Sequence, residues 1–131
     1  MGAFRRRWPG LSYGRGEDWH YVGDTSEPAF ENSWANLGGG GTKMAFRIRE
    51  AGVVDLAGII DASAASGTVI FTLPVGYRPS EKTPGFAVLI HPSTADLLRV
   101  STSGAVELNT LPTSSVYISG QFFLVPPGTA P

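Results

Sequence analysis

The chain has 131 residues, 42% of them hydrophobic and 16% charged, with a formal net charge of −1 and no cysteine. One domain accommodates that length, and folding removes roughly two thirds of the unfolded surface from water. Disulfide frameworks and thiolate metal sites are excluded, the near-neutral balance argues against a nucleic-acid-binding domain, and no apolar run reaches the roughly 18 to 20 residues that span a bilayer. The arginines near the N-terminus are not followed by an apolar segment of signal-peptide type, so the expectation is a soluble protein made without a cleaved export signal, with no membrane partner. With 17 glycines and 10 prolines, the composition suits short strands joined by many turns. Its low charge leaves surface free to be buried against partner subunits.

Residues 1–43 lack any period of 2 or 3.6 and read as an extended aromatic and basic arm closed by a Gly-rich joint. Arg5, Arg6, Arg7 and Arg15 all precede the first acidic residue, Glu17, and Phe4, Trp8, Tyr13, Trp19, Tyr21, Phe30 and Trp34 make the segment too aromatic for plain disorder. Two readings stay open: the aromatics fold back over the chain's own core, or some anchor into a neighbouring subunit. Phe4 to Trp8 and Tyr13 to Tyr21 are the candidate docking residues. The run Leu37-Gly-Gly-Gly-Gly-Thr-Lys43 is not a phosphate loop, because that motif needs Gly-Lys-Ser or Gly-Lys-Thr opening a helix, and here Thr precedes Lys before a strand. A flexible joint or a tight loop is expected instead.

From Met44 the signal is alternation. Met44, Phe46 and Ile48 share one face with Arg47 and Arg49 on the other; Val54, Leu56 and Ile60 then point inward while Asp55 and Asp61 face out, which predicts a β-hairpin over 44–61. Gly58 interrupts the inward row and predicts a bulge or a close approach by another strand. Further strands follow in TVIFTLP, GFAVLIH, DLLRVST, AVELN and SSVYISGQFFLV, with Ser103-Gly104 as a hairpin turn. The expected fold is all-β, an antiparallel β-sandwich of about seven or eight strands with jelly-roll-like connections, forming a knob over 44–131.

The strand through Phe71 stops abruptly at Leu73-Pro74-Val75-Gly76-Tyr77-Arg78-Pro79. Pro74 cannot donate to a ladder, and with Gly76 it suggests a turn having proline at its second position and glycine at its fourth. Pro79 favours an extended Arg78, and the Tyr77 ring is placed to cap the end of the fold with its hydroxyl on a backbone carbonyl or solvent.

In order, PAFENSWANLG, AFRIREAGVVDLAGIID, GTVIFTLPVGYRP and LRVSTSGAVELN resemble a β-module found at the C-termini of phage tail-fibre and minor tail proteins. The Leu-Pro-x-Gly-Tyr-Arg-Pro corner is its most specific piece, and the match runs from about Pro28 to Val125. Ser33 stands where the family often has glycine before the tryptophan. The resemblance implies a non-enzymatic virion protein and a homotrimeric knob, docked by its arm on the major capsid protein or on tail proteins. Family members follow a long stalk, whereas only the basic aromatic arm precedes the module here, which favours capsid decoration or a head fibre. The alternative is a minor tail or tail-tip protein that contacts a host-surface glycan.

Chemistry-bearing patterns are sparse. His20 and His91 are the two histidines, and the cluster His91, Ser93 and Asp96 reads as a strand end and not as a triad, since a triad is defined in space. No ligand spacing for zinc or calcium is present, so no cofactor is expected.

Overall fold

The structure, a computed structural model, describes residues 17–49, 52–83 and 85–124. Among these residues there are nine strands and no α-helix: β1 (His20–Tyr21), β2 (Ala35–Asn36), β3 (Ala45–Arg49), β4 (Val53–Asp61), β5 (Val69–Thr72), β6 (Phe86–Ile90), β7 (Thr94–Val100), β8 (Ala105–Leu108) and β9 (Ser115–Phe123). The hairpin expected over 44–61 is β3–β4, in register from Ala45↔Ala57 to Arg49↔Val53. The two-residue strands β1 and β2 fall in the segment read as an arm; pairings that short leave no alternation to read.

All the strands belong to one antiparallel sheet, ordered β1-β3-β4-β9-β6-β7-β8-β5, with β2 also on β4. The sheet is strongly curled. β3 and β5 stand six strands apart along that path, which in a flat sheet would be roughly 29 Å at the usual strand spacing, yet the Phe46 and Phe71 rings lie 5.9 Å apart. Two halves of a single sheet therefore face each other over the core, where the sequence suggested two packed sheets. The outer edge of β5 is met by residues 31 and 32: the Glu31 N–H donates to the Ile70 carbonyl (2.8 Å) and the Asn32 side-chain amide to the Val69 carbonyl (2.9 Å). Such cover satisfies an edge that would otherwise present unpaired backbone groups.

Inside the curl lie Met44, Phe46, Val54, Leu56, Ile60, Ile70, Phe71, Leu98, Val100, Val106 and Val116, all essentially solvent-free. Trp34 joins this core and donates its indole N–H to the Gly67 carbonyl (2.8 Å), and Phe30 packs against it, so these two aromatics fold over the chain's own core. At Gly58 the expected close approach is real: a Cβ there would sit 2.4 Å from the Met44 Cα and 2.8 Å from its nitrogen. The glycine run closes as a tight loop, with the Gly41 N–H on the Gly38 carbonyl (3.1 Å).

The corner after β5 is a turn shifted by one residue from the sequence reading. The Tyr77 N–H bonds the Pro74 carbonyl (3.1 Å), so proline opens the turn and Gly76, at φ 101°, takes its third position. That conformation is the one a type II turn demands of its third residue, and glycine adopts it without a steric penalty. Arg78 folds back and donates its Nε–H to the Leu73 carbonyl (2.8 Å), while the Leu73 N–H bonds the Gly104 carbonyl (2.8 Å) of the β7–β8 turn. Leu73 and Pro79 are buried.

Candidate functional site

The outer face of the central strands divides into two unlike ends. Along β4 the outward residues are Asp55, Ala57, Ile59 and Asp61, and their partners on β9 are Gln121, Ser119, Tyr117 and Ser115. At the Asp55 end the neighbours are ionic. Asp55 accepts from the guanidinium of Arg49 (3.0 Å) and from Arg47 Nε (3.3 Å), Arg49 also reaches the Gln121 amide oxygen, and the Arg47 guanidinium lies 4.4 Å above the Trp19 ring. Trp19, Asp55, Ala57, Ser119 and Gln121 thereby line a shallow open depression.

At the other end a row of apolar side chains crosses the strands. Leu37, whose N–H bonds the Ile59 carbonyl (3.1 Å), is followed by Ile59, Tyr117, Leu89 and Ala95, each opposite the next. Leu97, opposite Ala87, sits one row away. Leu37, Leu89, Leu97 and Tyr117 remain 42%, 47%, 39% and 38% exposed.

A second cluster lies beneath β1, on the core side of the sheet. Glu17 extends β1, its N–H bonding the Ile48 carbonyl (3.2 Å) and its carboxylate accepting from the Ile48 N–H (2.9 Å). His20 stacks on Phe46 (ring centroids 5.1 Å), with Nδ1 2.8 Å from Glu27 Oε2 and Nε2 3.0 Å from the Tyr77 hydroxyl, which itself donates to Glu17 Oε1 (2.9 Å). In the imidazolium form both ring nitrogens donate, so His20 is raised above its ordinary value, chiefly by the Glu27 carboxylate, against burial and with Glu17 adding. Burial alone would raise Glu17, but hydrogen bonds from Ile48, Tyr77 and His20 hold it below the usual carboxylate range. Burial and the Glu17 carboxylate together push the Tyr77 phenol up to about 12. The cluster ties the segment before β1 to the corner.

Of the candidate docking residues, Phe4, Arg5, Arg6, Arg7, Trp8 and Tyr13 lie outside the described residues. Trp19 sits half-buried under Arg47, and Tyr21 is exposed opposite Ala45. The corner residues Leu73, Pro74, Gly76, Tyr77, Arg78 and Pro79 form one braced turn, but the Tyr77 hydroxyl meets Glu17 and His20, not the backbone carbonyl or solvent expected. His91 is exposed, while Asp96 accepts from the Thr110 N–H (2.9 Å), the Thr110 hydroxyl (2.8 Å) and the Leu97 N–H (2.8 Å). Burial would raise Asp96, yet those bonds and the Arg99 charge hold it low, so it is a turn brace and not a partner for His91. Among the described residues no group of three or more His, Cys, Asp or Glu is arranged to hold a metal ion.

Sequence reasoning missed both the cluster and the row. Glu17, His20, Glu27 and Tyr77 meet only through folding, so no spacing announces them. The row had a signal: β6 reads Phe-Ala-Val-Leu-Ile, apolar on both faces, whereas a strand with one face in water alternates. No family model, curated protein or solved structure matches the chain.

Proposed function

We propose that the chain is a non-enzymatic structural protein of a bacteriophage virion. In this reading it is a trimeric, sandwich-like surface knob, docked through its N-terminal arm as a capsid decoration or head-fibre protein. The observation that carries the reading is the exposed apolar row on the outside of a small β-fold, Leu37, Leu89, Leu97 and Tyr117 among it. Such a surface suits a subunit completed by assembly. The phage assignment rests on the resemblance through Leu73–Pro79, and the braced form of that corner is compatible with a structural role in such modules. Support for a non-catalytic protein comes from the ionisable groups, since His20 and Asp96 are engaged within the fold.

Copy number per purified particle, measured by mass spectrometry against the major capsid protein, tests this. Hundreds of copies are expected; absence from particles overturns the reading. A few to a few tens would favour the second reading, a tail-tip protein that binds a host-surface glycan. The depression beside Trp19 favours that alternative, because an aromatic ring beside a carboxylate, an amide and a hydroxyl suits a sugar. Quenching of tryptophan fluorescence by host glycans, lost in Trp19→Ala, is its expected signature.

A further inference from the structure

We infer that residues 17–21 are a strap over the edge of β3 fastened by the proton on His20, closed while the imidazole is charged and released when it is neutral.

The strap lies at one end of the sheet. β1 is the outermost strand there and pairs with β3 through two residues, His20↔Phe46 and Tyr21↔Ala45. One end of the strap is anchored, since Val22 is buried and its N–H bonds the Met44 carbonyl (3.0 Å). At the other end the tie is Glu17, which serves both backbone groups of Ile48: its N–H bonds the Ile48 carbonyl (3.2 Å) and its carboxylate accepts from the Ile48 N–H (2.9 Å). A ladder that short opens locally unless side chains hold it down.

What holds it down is a matter of counting protons. Glu17 Oε1, the Tyr77 hydroxyl oxygen and His20 Nε2 form a triangle with sides of 2.9, 3.0 and 3.2 Å, and Nδ1, across the ring, lies 2.8 Å from Glu27 Oε2. The imidazolium fills every contact: Nδ1–H donates to Glu27, Nε2–H points into the triangle, and the Tyr77 O–H donates to Glu17. Neutral imidazole has one N–H, and each tautomer leaves a gap. With the proton on Nδ1, the triangle holds only the Tyr77 hydrogen, and Nε2 and Glu17 Oε1 compete for it with lone pairs 3.2 Å apart. With the proton on Nε2, a bare Nδ1 faces a carboxylate oxygen at 2.8 Å. Opposed lone pairs in a partly buried site repel, so the closed geometry is that of the charged ring.

Glu17 faces His20 from the segment before β1, Glu27 from the loop after it and Tyr77 from the corner, while β3 contributes the uncharged Phe46 ring beneath the imidazole. The neighbouring Arg47 is on the other face of β3, over Trp19. Glu27 chiefly, against burial and with Glu17 adding, holds His20 above its ordinary value, so the strap is closed at about pH 6.5 and opens as the pH rises through the folded value. Release leaves the Ile48 N–H and carbonyl unpaired at a sheet edge and lifts the imidazole from Phe46, a core ring.

Amide hydrogen exchange at Ile48, read by NMR on the full chain and corrected for the intrinsic rate at each pH, tests this. Protection there should fall at least about tenfold between about pH 6 and about pH 9, because about one pKa unit between closed and open forms is a tenfold change in closure. Amides of the β4–β9 ladder should keep their protection. Glu27→Gln is the discriminating substitution. Its amide can donate to a bare Nδ1, so the neutral ring with its proton on Nε2 fills every contact and the strap should stay closed across the same range. A cluster that merely braced the chain would lose protection when that carboxylate is removed. The inference is overturned if Ile48 protection is flat in the native chain, or falls together with the ladder. It is equally overturned if protection in Glu27→Gln still falls with pH or is lost throughout. Should that variant not fold, His20→Gln carries no titratable ring at this position and its Ile48 profile should be flat; a fall like the native one overturns the inference.

Discussion

Two ends of one sheet face, formed by the same pair of strands, have been given opposite chemistry. Around Asp55 the outward side chains hold each other: two arginines share one carboxylate, a third partner is an amide, and Trp19 lies under a guanidinium. Around Tyr117 the outward side chains are apolar, and Leu37, Leu89, Leu97 and Tyr117 remain 38% to 47% exposed. Beneath both ends the inward residues are alike, Leu56 and Phe122 under one, Ile60 and Val116 under the other, all buried. The difference teaches that the core does not dictate what the outer face carries. One end is closed by its own ion pairs and hydrogen bonds, the other is left apolar.

The largest effect should come from removing what both ends share. Gly58→Ala would drive a methyl group into the Met44 backbone, which cannot step aside as a side chain would. A loss of about 3 kcal/mol or more is expected in denaturant unfolding, with both ends of the face lost together. Next comes a change confined to the apolar end. Ile59→Ser should weaken self-association about tenfold, roughly 1.4 kcal/mol, in a sedimentation titration, with much less effect on the unfolding of the isolated subunit.

The polar end answers to pH through the cluster below it. His20, raised in the folded chain, contributes stability that is whole below about pH 6.5 and fades as the pH rises through its folded value; Glu17, lowered, contributes above about pH 4.3 and fades as the pH falls through its own. The two are at full strength between those limits. Melting temperature followed across pH should fall on the alkaline side, and His20→Gln should flatten that fall while keeping the acid-side loss. The smallest effect is expected from Asp55→Asn. Its partners Arg47 and Arg49 are 29% and 33% exposed, so the change should cost under about 1 kcal/mol in unfolding and shrink further with added salt.

The β3–β4 hairpin was legible because its residues obey one period: Phe46 and Ile48, then Val54, Leu56 and Ile60, point inward with Arg47, Arg49, Asp55 and Asp61 on the other face. Turn chemistry made the corner legible as a turn, though not its register, since Pro74 suits either of two positions and only the conformation of Gly76 chooses between them. The curl was not legible. Nothing local says that Phe46 will meet Phe71 or that residues 31 and 32 will cover β5, because those contacts follow from how much a long sheet bends. For the same reason the His20 cluster was hidden, its members being gathered by β1, the corner and the loop between β1 and β2.

The pairing of β4 with β9 also fixes when the apolar row exists. Tyr117, its middle member, is supplied by β9, the last strand among the described residues, which pairs with β4 across a long separation in sequence and so at a high cost in loop closure. During synthesis the β3–β4 hairpin can form early, but Ile59 and Leu89 have no bridge between them until β9 has left the ribosome and docked. Nascent and truncated chains therefore lack the complete row. In such an order of events the chain's topology sets a sequence of exposure: the apolar row is complete only on a finished subunit.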